Sequence, residues 1–133
     1  MTMTMNLSFE LPFPPSVNTY YRSSFRSRSV YLSKKGREYK DSMERVLIEM
    51  KAVYLTLPVF PTERLSIQLE LIPGNRRAFD IDNRVKAVFD ILEGTLFEND
   101  SQIDELSVIR KPMEKGKGRC RVTISEIKER SSF

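Results

Sequence analysis

The chain has 133 residues, with 22 Lys+Arg against 18 Asp+Glu, no His, no Trp and one Cys. That length predicts one domain, residues 1–133, able to bury about two-thirds of its unfolded surface without staples, and a lone cysteine rules out an internal disulfide. Without His, a Ser-His-Asp or Cys-His nucleophile is impossible and a zinc site is disfavoured, which leaves carboxylates, Lys, Tyr or metal-bound water for any acid–base chemistry.

Met1–Asn6 lacks the charged and apolar regions of a secretion signal, and the longest apolar runs, such as Ala52–Leu55, are too short to cross a membrane. A cytoplasmic protein is expected. Leu7, Phe9 and Leu11 alternate with polar residues and predict a half-buried strand, ended by Pro12, Pro14 and Pro15. Ser16 to Ser33 has no period and reads as a long loop with a short extended piece at Val30–Leu32. Ser33 is placed to cap a helix over Lys34–Tyr54, whose apolar face is Tyr39, Met43, Val46, Leu47, Met50 and Tyr54.

Leu65, Ile67, Leu69 and Leu71 alternate as a second strand, broken by Pro73-Gly74-Asn75. Val85, Val88, Phe89, Leu92 and Leu96 mark a second helix from Asp82 to about Gly94, followed by an acidic turn, Glu98-Asn99-Asp100. Two strands, Leu106–Pro112 and Arg119–Ile127, read as a hairpin joined by a Gly-bearing link. Cys120 is in phase with Val122 and Ile124 and belongs to the core. Flexible ends are expected at 1–5 and 128–133. The implied fold is α+β: a partly antiparallel sheet of about four strands with two helices on one face.

Charge is segregated. Tyr20 to Arg37 holds Arg22, Arg26, Arg28, Lys34, Lys35 and Arg37 with no acid, interleaved with Tyr20, Tyr21, Phe25 and Tyr31. Arg110 to Arg121 holds six cations, Lys115 and Lys117 among them, against Glu114 alone. Between these stretches lie Glu98, Asp100, Asp104 and Glu105. Lys and Arg hold phosphates and carboxylates hold hard cations, so the pattern suits a nuclease. A solvated loop and a hairpin tip kept soluble by lysine would look the same.

The sharpest constellation is Asp80-Ile81-Asp82-Asn83-Arg84-Val85-Lys86. If Asp80–Asp82 is extended, both carboxylates point one way and can share a divalent ion. Lys86 follows Asp82 by four residues, on the same helix face. Asp100 joins them only if the turn after the helix folds back. The structural alternative is that Asp82 caps the helix and pairs with Lys86, while Asp90 is a surface charge.

Three stretches resemble the RusA family of Holliday-junction resolvases: Pro12–Arg22, Leu32–Tyr39, and Asp80–Asn83 with Lys86, Asp90 and Asp100–Ile103. The resemblance implies metal ligands Asp80, Asp82 and Asp100, a catalytic Lys86, magnesium with manganese as a substitute, a homodimer, and paired nicks across a four-way DNA junction in recombination and repair. DNA would be held by Arg22, Arg26, Arg28, Lys34, Lys35, Arg76, Arg77, Lys115 and Lys117. Two departures stand out. Asn99 sits where some members carry a second acid, and Ala78-Phe79 separates Arg76-Arg77 from Asp80 where some members have adjacent basic residues. The competing function is a silent binder of branched or single-stranded nucleic acid.

Overall fold

The structure is a computed structural model that describes residues 6–16, 21–23, 30–32, 34–53 and 58–128. Its elements are β1 (Asn6–Pro12), β2 (Tyr21–Ser23), β3 (Val30–Leu32), α1 (Lys34–Val53), β4 (Arg64–Ile72), α2 (Asp82–Leu92), a 3-10 turn (Asp100–Gln102), β5 (Ile103–Arg110) and β6 (Arg119–Ile127). The expected cap at Ser33 and flexible ends at 1–5 and 129–133 lie outside the described residues. No described helix is long and apolar enough to cross a membrane.

The main sheet has the order β1-β6-β4-β5. β6 is antiparallel to both of its neighbours, while β4 and β5 are parallel. Mixed pairing corrects one expectation: the last two strands form no hairpin, because β4 lies between β6 and β5. The reason is burial. Leu65, Ile67, Leu69 and Leu71 of β4 are all 0–1% exposed, and only an interior strand covers its inward side chains from both flanks. The link from β5 to β6 therefore crosses the end of β4. Backbone bonds fix that crossing, with Lys111, Glu114 and Gly116 amides donating to the carbonyls of Leu71, Pro73 and Gly74.

One face of the sheet makes the core. Leu11 of β1, the alternate residues of β4, and Cys120, Val122 and Ile124 of β6 are buried together with Tyr39 and Met43 of α1 and Val88, Ile91 and Leu92 of α2. The described residues of both helical stripes expected from the spacing are used this way, Tyr54 lying outside the described residues, and the α+β architecture follows. Burial pushes the Cys120 thiol up to about 12, so this side chain acts as a small apolar residue. The extended piece expected at Val30–Leu32 is β3, and it pairs antiparallel with β2 as a separate ribbon, with Arg22 opposite Tyr31.

β4, α2 and β5 form a parallel strand–helix–strand unit. Its two connections place the residues of interest: the 73–81 loop leaves the carboxyl end of β4 for the start of α2, and the 93–102 turn leaves the end of α2 for the start of β5.

Candidate active site

α2 begins without a side-chain cap. Its N-cap is Ile81, in the right-handed helical region at φ −66°, ψ −35°. The Asp80–Asp82 segment is therefore not extended, and the expected shared direction of the two carboxylates is replaced by a bend. Asp80 is exposed in the loop, and Asp82 is exposed as the first residue of the helix. An acid there lies at the positive end of the helix dipole.

Lys86 is the next exposed position on that face, and its ammonium lies 3.6 Å from Asp90 Oδ2. With the two side chains 57% and 29% exposed, such a pair contributes at most about 1 kcal/mol. It aims the lysine without locking it. Asp82, Lys86 and Asp90 thus follow one another at successive turns over about 12 Å of helix.

The turn after α2 does fold back. Gly94, at φ +87°, reverses the chain, a conformation that glycine adopts without steric cost. The Gly94 amide donates to the Phe97 carbonyl at 2.6 Å, and Leu96 and Phe97 are fully buried. Asp100 then arrives beside the second half of α2. Its hydrogen bond and charge hold the Glu93 carboxyl above the usual range. Burial, then the Asp100 charge, raise Asp90 in the same direction.

Gln102 fixes this arrival. It is a buried polar residue, 6% exposed, and its amide donates to the carbonyls of Phe60 and Glu63, both at 2.9 Å. Its Oε1 accepts from the Glu98 and Asn99 amides at 2.8 and 3.0 Å, while Asn99 Oδ1 accepts from the Ser101 amide. Asn99 and Gln102 form a capping box. Sequence reasoning passed over Gln102, although the Asn-x-x-Gln spacing is its signature. Asn99, a departure from the family pattern, has a structural occupation as that cap.

The predicted ligands are thus divided. Asp80 and Asp82 stand at the start of α2, and Asp100 stands against Asp90 and Glu93 farther along it. Among the described residues no group of three carboxylate or thiol side chains is gathered as a metal site. The donor type nonetheless suits a hard divalent ion, since all three predicted ligands offer carboxylate oxygens. Asp104, counted with the acidic centre, is instead committed to Arg64, which reaches both of its oxygens.

A cleft of about 600 Å³ is lined by Phe13, Lys35, Asn75, Arg77, Phe79 and Arg84 among others; Asp80 and Asp82 are not in its wall, although the charge of Asp80 acts on Arg84. The structure brings Lys35 and Arg77 of the predicted DNA contacts here. Lys34, Arg76, Lys115 and Lys117 are exposed nearby in sequence; Arg26, Arg28 and the Arg22 side chain lie outside the described residues. Much of the second basic stretch is structural: Arg119 pairs with Glu10 and Glu114, Arg121 with Glu70, and Arg110 lies 4.2 Å over the Phe79 ring.

The family model described as Endodeoxyribonuclease RusA matches residues 12–125, a span that contains the cleft, α2 and the Asp100 turn. A crossover junction endodeoxyribonuclease rusA of Enterobacteria phage HK97 is 35% identical over 121 residues, covering 90% of this chain and 93% of that protein. The RusA protein of Escherichia coli strain K12, with the same description, is 36% identical over 122 residues, covering 90% and 94%. That of Enterobacteria phage 82 is 36% identical over 119 residues, covering 88% and 92%. With a family model matching residues 12–125 and nearly full-length similarity to these relatives, the chain belongs to the RusA family of endodeoxyribonucleases.

Proposed function

We propose that the protein is a magnesium-dependent Holliday-junction resolvase that nicks symmetric strands of a four-way DNA junction in recombination and repair. The observation that supports this is the cationic cleft at the carboxyl end of β4: Lys35, Arg77 and Arg84 line it, the charge of Asp80 acts on Arg84, and all four residues lie in the segment that the family model matches. Asp80, Asp82 and Asp100 would hold the ion, and manganese would substitute for it. When bound, a divalent ion lowers the pKa of a coordinated water and offsets charge on phosphate oxygens.

The chain's own residues do the rest. Lys35 and Arg77 draw the phosphate backbone into the cleft. Lys86 exchanges its weak pair with Asp90 for the phosphate, since a fully ionic phosphate contact outweighs a half-exposed ion pair. From that place it stabilises charge, orients the attacking water or protonates the leaving oxygen. A homodimer related by a two-fold axis would match the two-fold symmetry of the junction and give paired cuts.

One observation favours binding without cutting: the predicted ligands are not gathered. Incubation of the protein and its Asp82→Asn variant with a synthetic four-way junction and magnesium separates the readings. Paired nicks by the unaltered protein, lowered at least 100-fold in the variant while binding persists, are expected. Binding without nicks across magnesium, manganese and cobalt would establish the silent binder instead.

A further inference from the structure

We propose that Arg84 is the anchor of a phosphate subsite beside the bond that is cut, with Lys35 and Arg77 as its rim. This rests on the resolvase reading and names a binding contact for its substrate. The guanidinium carbon of Arg84 lies 5.4 Å from the Phe13 ring centroid and 5.5 Å from that of Phe79. The two rings meet edge to face at 5.2 Å. Arg84 Nη1 donates to the Pro14 carbonyl at 2.8 Å. The cation is thereby held by neutral groups, two π faces and one carbonyl.

Among the described residues, Arg84 Nε is buried and finds no hydrogen-bond partner. An unmet buried donor leaves the guanidinium incompletely satisfied, and because Nε itself is closed to solvent, an acceptor in the cleft would meet the part of Arg84 that lines it. The acceptor is an anion. Lys35 from the start of α1 and Arg77 from the 73–81 loop line the same cleft, so its named charges are positive, and a planar guanidinium suits phosphate oxygens. An unpaired base is the poorer occupant, because Phe79 is already covered by Arg84 and by Arg110 at 4.2 Å.

Position ties the cleft to the cut. The charge of Asp80 acts on Arg84, while Asp82, two residues earlier, points to nearly the opposite side of the helix. The residue directly before Asp80 is the apolar Phe79, so Arg84 in the first turn of α2 adds its cation to that of Arg77 from the loop. Neither Arg84 nor Phe13 was singled out by sequence reasoning.

Junctions carrying one neutral methylphosphonate at each phosphate around the crossover test the assignment, with binding read by fluorescence anisotropy in metal-free buffer. One position near the cut should weaken binding of the unaltered protein by about 10-fold, the scale of one charge-assisted hydrogen bond. Arg84→Gln should weaken binding to the unmodified junction by a similar factor and lose nothing further at that position. Arg84→Lys should lie between.

A role confined to bracing the Pro14 turn would lower the melting temperature of Arg84→Gln and add its loss equally at every phosphate, which overturns the proposal. Coupling to an abasic position instead of a phosphate overturns it as well. Should Arg84→Gln fail to fold, Lys35→Ala and Arg77→Ala, both exposed, take the same scan and must couple to that phosphate or its neighbour. Failure of the unaltered protein to bind any four-way junction would bring down the resolvase reading together with this one. Tight binding with additive losses would bring down the subsite alone.

Discussion

Single side chains decide where the acidic residues stand. Asp100 has no means of its own to reach α2; Gln102 brings it there by joining the 98–102 turn to the carbonyls of Phe60 and Glu63. Replacing Gln102 by Ala leaves buried carbonyls without donors and two amides without an acceptor. At about 1–3 kcal/mol for each unmet buried group, with water reaching some of them, a loss of roughly 2–4 kcal/mol is expected by urea unfolding. The same variant, assayed below its melting temperature, should cut DNA more slowly while its junction affinity stays near the unaltered value. Equal loss of binding and cutting would mean that Asp100 serves the grip on DNA. Asp82 and Lys86 were legible in the sequence because helix spacing alone places them on one face. Arg84 was not, because a basic residue in a first turn resembles any solvated cation until Phe13, distant in sequence, is seen against it.

At the scale of elements, the crossing from β5 to β6 is the feature that spacing could not foresee. Two strands joined by a Gly-bearing link have the signature of a hairpin, and no local property reveals that a third strand from earlier in the chain sits between them. Strand existence was readable from alternation in β1, β4 and β6; strand order depended on which strand buries both flanks. The crossing brings the backbones at Gly74 and Gly118 together: a Cβ on Gly74 would sit 2.7 Å from the Gly118 nitrogen. Gly74→Ala forces two backbone segments apart and should cost about 1–3 kcal/mol, seen as a melting temperature lower by several degrees. Because both segments wall the cleft, affinity for junction DNA should fall too. An alanine variant with unchanged melting and binding would show that the crossing gives way freely.

For the molecule as a whole, the net charge of +4 conceals a division of labour. Arg64, Arg119 and Arg121 are spent on internal ion pairs, whereas Lys35 and Arg77 line the cleft. DNA affinity should therefore fall steeply with salt, and Lys35→Ala or Arg77→Ala should each reduce the slope of log K against log salt by about 1, the share of one released counterion. Arg121→Gln, outside the cleft lining, should leave that slope unchanged. Fluorescence titrations across a salt series read this directly, and equal slopes for all variants would exclude the cleft as a phosphate path.

The strand order has a further consequence, for synthesis. Asn6, in the first strand, pairs with Ser125, in the last, and β6 also supplies the antiparallel partner of β4. A ribosome must release the chain as far as β6 before the sheet can close, and the 111–118 loop, which supplies Gly116 and Gly118 to the cleft wall, is made just ahead of that strand. Such distant pairing favours slow, late assembly. A chain terminated before β6 would lack the strand that joins β1 to β4 and could not close the sheet.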